Sequence, residues 1–419
     1  MERPAPSPSP SDTPPPAPAD ATPSDRTPSD RTMDWIARLI AIDTTSRDSN
    51  LPLIGLIAAE VREHGVEPVL VPNEDGSKAN LIATFPAADG SVSGGIVLSG
   101  HSDVVPVDGQ DWSSDPFSPE VRDGRLYGRG ACDMKAFVGA VVARIPDLAA
   151  APLREPVHLA FSYDEEIGCL GAEDLVKDMV GRDLRPRACI VGEPTSMRVV
   201  HGHKSINLFR VDFHGVAAHS SLTPNGVNAI EHAAAFARFV RSVADEFRAQ
   251  GPFDDAFDVP YTTCTVNLIE GGIAVNTVPA DCTLHFEFRS IGAVDSRALV
   301  ERFRSELRRI EGEMQAENPA AHIELRVVAA APGLETPPDA EVVRLATQWG
   351  GLPSDEKVAY GTEAGLFDQG GIPTVVCGPG DIAQAHSPDE FVDLAQIALC
   401  EAFLDRVIAS VQERSARTP

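Results

Sequence analysis

Residues 95–103 read Gly95-Ile-Val-Leu-Ser-Gly-His101-Ser-Asp103. The run from Gly95 to Leu98 is apolar, the pattern of a strand buried on both faces. Just beyond it stand a histidine and an aspartate, two residues apart. Two later runs repeat the plan: Val157–Phe161 leads to Asp164-Glu165-Glu166-Ile-Gly, and Ala188–Val191 leads to Gly192-Glu193-Pro-Thr. Further strand-like runs cover Glu67–Val71 and Asn80–Phe85. Helical spacing joins Trp35, Ile36, Leu39 and Ile40, then Leu53, Leu56, Ile57 and Val61, and again Phe137, Val141 and Val142. Strands alternating with helices predict an α/β layer on a largely parallel sheet. Ligands of such sheets bind beyond the strand ends, where His101, Glu165 and Glu193 lie.

After residue 200 the pattern changes. Ile206–Phe213 is a strand, Ala229–Gln250 a long amphipathic helix, Cys264–Ile269 and Cys282–Phe288 alternating strands, Ser296–Met314 a helix and His322–Val328 a strand. The order β-α-β-β-α-β predicts a ferredoxin-like α+β insert. After Pro332 the first pattern returns with a helix at Ala340–Trp349, a strand at Thr374–Cys377 and a helix from Asp393 to Val411. The expected organisation is a discontinuous catalytic domain, residues 33–200 and 333–419, interrupted by a lid at 201–332. Residues 1–32 are rich in Pro, Ser, Asp and Thr, repeat Thr-Pro-Ser-Asp-Arg, and cannot bury a core. They read as a disordered tail, or as an extension upstream of a true start at Met33.

A chain of 419 residues exceeds one core, so two domains are expected. Its net charge of -27 opposes binding to nucleic acid or to an anionic membrane. No apolar run approaches the ~20 residues of a membrane span, and no secretory signal opens the chain. The seven cysteines are scattered and never spaced Cys-x-x-Cys, which reads as reduced thiols in a cytoplasm.

Two more motifs join the three already quoted: Gly128-Arg-Gly-Ala-Cys-Asp133-Met-Lys and Gln384-Ala-His386-Ser-Pro-Asp-Glu. Singly, each of the five has an ordinary reading as a turn, a helix cap, a solvated acidic loop or a loop histidine. Together they supply two imidazoles and several carboxylates, the donors zinc takes at ~2.0–2.2 Å in a site without cysteine. Cobalt or manganese suits the same donors. Asp133 has two oxygens with which to bridge two cations. The adjacent Glu165 and Glu166 repel unless something positive compensates, and one can hold metal while the other stays free as a base. Asp103 is placed to accept the second ring N–H of a metal-bound His101.

These motifs resemble the co-catalytic zinc aminoacylase and metallopeptidase family. That family includes acetylornithine deacetylases, succinyl-diaminopimelate desuccinylases and glutamate carboxypeptidases. The resemblance spans residues 33–411. Gly-Glu193-Pro-Thr-Ser-Met, His201-Gly-His-Lys, Tyr360-Gly-Thr-Glu363-Ala-Gly and Gly378-Pro-Gly-Asp-Ile-Ala-Gln-Ala-His386 look most like the acetylornithine deacetylase branch.

The resemblance implies two zinc ions, one on His101 and Glu193, one on Glu166 and His386, with Asp133 bridging. It makes Glu165 the catalytic base and Asp103 the orienter of His101. It implies a cis bond between Asp133 and Met134, and a homodimer in which His219 of the lid stabilises the oxyanion in the partner's site. Arg289 and Asn276 resemble contacts to a substrate carboxylate. Glu363 is a candidate partner for a substrate ammonium, or else a helix cap. The implied reaction is hydrolysis of Nα-acetyl-L-ornithine to ornithine and acetate, a step of arginine biosynthesis. Another N-acyl-amino-acid deacylase, a desuccinylase, a dipeptidase or an inactive metal-binding relative are the alternatives.

Overall fold

A computed structural model describes residues 27–412. Most of the expected Pro-rich tail, residues 1–26, lies outside the described residues. The rest of that segment is not all tail: the first helix is Asp30–Ile40, starting before Met33. Ser29 caps it by accepting the Thr32 N–H, and the Ser29 hydroxyl and N–H both donate to the Glu401 carboxylate at 2.6 and 2.9 Å. A helix without such a cap leaves its first N–H groups unpaired.

The catalytic body is built on a six-stranded sheet. Its spatial order is Val69–Pro72, Ala79–Phe85, Val157–Ser162, Ile96–His101, Ala188–Pro194 and Thr374–Gly378. The last four run parallel, and the first two are antiparallel additions at one edge. The central strands are buried along their whole length. Their alternate side chains point to opposite faces. Ile96, Leu98, Val157, Leu159 and Ile190 join a core with the helices Asp30–Ile40, Leu51–Glu63, Lys135–Val142 and Leu394–Val411. Val97, Ala160, Cys189 and Val191 join a second core with Leu170–Gly181 and Ala364–Gln369. That helix at Leu170–Gly181 is one the sequence reading passed over, although Ala172, Leu175, Val176 and Met179 mark its buried face. Gly192 leaves room for a helix side chain against the sheet, since a Cβ there would lie 2.0 Å from the Phe137 ring.

The strands reach further than their apolar runs predicted. Ile96–His101 includes the histidine, and Ala188–Pro194 includes Glu193 and even Pro194, which stays in register with Gly378 past an irregularity. Two of the candidate ligands are therefore fixed by a sheet ladder rather than by a loop.

The insert is a four-stranded antiparallel sheet in the order Thr263–Gly271, Asp281–Arg289, Ile206–His214, His322–Ala331. With the helices Ala229–Gln250 and Ser296–Glu317 on one face it has the ferredoxin-like order read from the sequence. Phe209, Val211 and Phe213, with Phe286 of the neighbouring strand, pack against Phe236 and Phe303 of those helices. Asn228 and Asp295 cap the two helices through their side chains. The other face of this sheet carries Arg210, Asp212, His214 and their cross-strand neighbours. No helix among the described residues is long and apolar enough to cross a membrane.

Candidate metal centre

The body's parallel strands end at one rim, and the five expected ligands meet there. His101, Asp133 and Glu193 bring ligand atoms within 4.8 Å of one another, and so do Asp133, Glu166 and His386. Asp133 belongs to both groups. Its Oδ1 is 2.9 Å from His101 Nε2, and its Oδ2 is 3.2 Å from His386 Nε2. His386 Nε2 is also 3.1 Å from Glu166 Oε2, and His101 Nε2 is 3.7 Å from Glu193 Oε1. One carboxylate thus joins two half-sites, each completed by one histidine and one glutamate.

Local structure explains this convergence. His101 closes its strand, and its Nδ1 donates to the Asp103 carbonyl oxygen at 2.9 Å, leaving Nε2 for the site. The sequence reading gave that task to the Asp103 carboxylate, which lies 3.5 Å from Nδ1. The carboxylate also accepts the Ser46 hydroxyl at 2.7 Å and the N–H groups of Glu165 and Glu166 at 3.1 and 3.3 Å. It positions the loop that carries the two glutamates. Asp164, at φ 56, pairs with Lys78 at 2.5 Å and turns the same loop.

Asp133 follows Gly130, whose φ of +80 suits glycine and where a Cβ would lie 2.7 Å from Val104. The Asp133-Met134 peptide bond is cis, as the resemblance implied. The N–H groups of Cys132 and Asp133 donate to Glu390 Oε1 at 2.8 and 3.0 Å. Glu390 Oε2 accepts from Arg129 at 2.5 Å, and both partners are almost wholly buried. The sequence reading missed this pair, although Arg129 and Glu390 both sit inside quoted motifs.

Glu165 belongs to neither ligand group. It borders a cavity of about 440 Å³ with Glu193, Leu208, Val328, Tyr360 and Arg289. Its Oε1 accepts from the Cys169 thiol at 3.2 Å. Arg289 thus reaches the body's site from the lid. His219 and Asn276 do not line this cavity. His219 is exposed and bonded through Nδ1 to the Ser221 hydroxyl at 2.8 Å, while the Asn276 carbonyl accepts the neighbouring Ser220 N–H at 3.0 Å.

Glu363 is a correction. It is fully buried, and its two oxygens accept the hydroxyls of Ser99 at 2.7 Å and Ser162 at 2.5 Å. With both oxygens so engaged it has none left for a substrate ammonium; it occupies the N-cap position of its helix without a side-chain cap bond, and the Thr362 hydroxyl accepts the Ala364 N–H at 3.0 Å.

Four buried acids at one point demand positive charge. Burial lifts Glu165 to about 8 against the pull of His101, with Glu166, Asp133 and Asp103 adding repulsion. Burial and Asp133 lift Glu166 to about 7 and push Glu193 well above the carboxylate range. Burial would raise Asp133 too, but hydrogen bonds from His101 and His386 hold it low. The bonds to Asp133 and Glu166 carry His386 up to about 10. Glu166 Oε1 and Glu193 Oε1 are buried with no hydrogen-bond partner. Unpartnered oxygens, mutual repulsion and a nitrogen–oxygen donor set fit two divalent cations.

Each cation must displace protons from these groups. His386 keeps its proton up to about pH 10 and Glu166 up to about 7, so apparent metal affinity is expected to rise with pH. The slope is roughly tenfold per pH unit for each proton released. Chelator competition at about pH 6, 7 and 8 measures it, and a flat profile would overturn this electrostatic account.

The comparisons agree with the geometry. Residues 97–410 match the model of peptidase family M20/M25/M40. An acetylornithine deacetylase of Myxococcus xanthus is 36% identical over 378 residues, covering 89% of this chain and 96% of that one. One of Pasteurella multocida is 34% identical over 370 residues, covering 88% and 93%. Among solved structures, an M20 family metallo-carboxypeptidase from Sulfolobus solfataricus superposes with a TM-score of 0.69 at 20% identity, covering 91% of this chain and 100% of that one. A dinuclear metal-binding M20 peptidase of Bacillus subtilis gives 0.63 at 15% identity, covering 91% and 98%. With its matched length and its relatives above 30% identity, this chain belongs to peptidase family M20/M25/M40.

Proposed function

We propose that this chain hydrolyses the N-acetyl amide of Nα-acetyl-L-ornithine to ornithine and acetate, using two zinc ions. The carrying observation is Glu165: a buried carboxylate on the cavity wall, beside both ligand groups and part of neither. A site that only bound metal would have no need of it. The relatives named acetylornithine deacetylase support the substrate.

His101, Asp133 and Glu193 would hold one ion, and Asp133, Glu166 and His386 the other. The ions, when bound, supply positive charge that polarises the amide carbonyl and acidifies a water. Glu165 accepts a proton from the attacking water, whose oxygen bonds to the acetyl carbon. As the C–N bond breaks, Glu165 returns that proton to the leaving amine. Arg289 offers a planar guanidinium to the substrate α-carboxylate. The burial of Glu363 removes the ammonium partner that the sequence offered.

His219 acts in trans, with Asn276 beside it. It stands exposed on the lid and away from its own chain's cavity, as a donor to the active site of a second copy would. The chain then works as a homodimer, and lid closure brings Arg289 and the partner's His219 onto the substrate. His219→Ala is expected to lower kcat roughly 10²- to 10³-fold with metal content unchanged, the usual cost of one oxyanion donor. Mixing it with Glu165→Ala protein tests the trans arrangement. Mixed dimers would hold one complete site, restoring up to about a quarter of wild-type activity. No restoration after subunit exchange would place His219 in cis or outside the mechanism. The seven buried, unpaired cysteines support a reducing, cytoplasmic setting.

The deciding experiment measures amine release from Nα-acetylornithine, N-succinyl-diaminopimelate and a dipeptide, each with and without chelator. Chelator-sensitive turnover of acetylornithine above the others is expected. Preference for another substrate would overturn the specificity and leave the metal chemistry standing.

A further inference from the structure

The lid carries a second kind of metal-ligating cluster, on the sheet face that bears no helices. His214 ends the strand Ile206–His214 and pairs across the ladder with His322 at the start of His322–Ala331. Their rings stack with centroids 4.5 Å apart. Glu324 lies two residues beyond His322 and therefore on the same face. One ligand atom from each of His214, His322 and Glu324 falls within 4.8 Å of the others. We propose that these three side chains form a separate binding site for one transition-metal dication of the zinc class.

The hydrogen bonds around the imidazoles point the same way. His214 Nδ1 faces the Asp281 carboxylate of the neighbouring strand at 2.9 Å. His322 Nδ1 faces the Ala320 carbonyl oxygen at 3.3 Å. Both partners only accept, so Nδ1 carries the hydrogen in each neutral ring and the Nε2 lone pair is left for a metal. A carboxylate or carbonyl behind each ligating imidazole is the usual supporting arrangement of a metal site. Glu324 Oε1 is 4.0 Å from His322 Nε2 and supplies the anionic donor. Arg326 also reaches Glu324, at 2.8 Å, and must share it.

Donor atoms on a tetrahedral zinc stand ~3.3 Å apart, so the cluster must close by small rotations. These are half-exposed side chains on a rigid ladder, free to turn while their backbones stay fixed. Two imidazoles and one carboxylate leave positions open to water or to a further donor. That set suits zinc, nickel or copper and disfavours magnesium.

The site is distinct from the paired centre. Leu208, on the same strand and face, lines the body's cavity, and six residues of strand, ~20 Å at 3.3 Å per residue, separate it from His214. Occupancy here would add a third metal equivalent, weaker than the buried pair because its ligands are half in solvent.

The test counts zinc per chain in full-length, metal-loaded protein equilibrated with buffered free zinc up to the micromolar range. The expected result is two tight equivalents and a third that saturates later. His322→Ala and His214→Ala should each weaken the third at least tenfold while keeping the two tight equivalents and the turnover. Replacing added zinc by magnesium should leave the third position empty. Wild-type protein that stops at two equivalents would overturn the proposal, as would a third equivalent that survives in both variants. Fewer than two tight equivalents would instead count against the paired centre, so the two readings fail separately.

Discussion

Glu165→Ala protein is expected to retain both tight metal equivalents and to lose roughly 10²- to 10⁴-fold in kcat, the range of a positioned general base. The first half follows from geometry. Glu165 contributes no atom to either ligand group, and the loop that holds Glu166 is fixed independently by Asp103 and by the Lys78–Asp164 pair. Removing one carboxylate takes away part of the negative charge that draws the cations, so a modest fall in affinity is expected while both equivalents remain. The second half follows from chemistry. The water must lose a proton and the amine must gain one, and Glu165 is the buried carboxylate left free to carry it. The measurements are metal content and kcat at saturating substrate. Parallel loss of metal and turnover would make Glu165 a ligand and refute its role as base.

Glu390→Ala is expected to be the most damaging change outside the ligand set, at about 3–5 kcal/mol of stability, the cost of leaving one buried charge without its partner. Arg129 is fully buried and would keep its charge with Gln110 as its side-chain neighbour at 2.5 Å. The N–H groups of Cys132 and Asp133 would lose their shared acceptor just where the carboxylate common to both ligand groups is set. Weaker metal binding should therefore accompany the lost stability. Urea unfolding of the metal-free protein reads the first, and chelator competition the second. The double variant Arg129→Met, Glu390→Leu removes the stranded charge and should recover part of the loss. It cannot recover all, because the two N–H groups stay unpaired. A Glu390→Ala protein of wild-type stability would show that water replaces the carboxylate without cost.

Much of this was legible in the chain, for identifiable reasons. Strands buried on both faces leave apolar runs such as Val157–Phe161 that no surface segment would carry, and the lid strands leave an alternating record. The ligands were legible because a metal centre needs particular atoms, and few histidines close such runs. Glu363 was misread because residue type does not reveal which side of a sheet a carboxylate takes. The sign of its true direction was Ser99 and Ser162, lone hydroxyls within apolar strands, each waiting for a buried acceptor. Glu390 escaped because one of its oxygens works on backbone N–H groups, which leave no trace in sequence, and the other on Arg129, 261 residues away. Asp103 was placed correctly beside the His101 ring, 3.5 Å from Nδ1, but its second task on the loop of Glu165 and Glu166 rests on backbone N–H groups that sequence does not mark.

The order of ligands along the chain bears on how the protein is born. His101, Asp133 and Glu193 all precede the lid, whereas His386 follows it. A nascent polypeptide leaving the ribosome N-terminus first therefore exposes those three residues long before His386 emerges. Arrival of the last segment brings His386 together with Glu390, the acceptor that seats the shared aspartate. A ribosome that stalls within the lid therefore leaves a chain without His386 and Glu390, and so without the second histidine of the paired centre and without the acceptor of the Asp133 N–H.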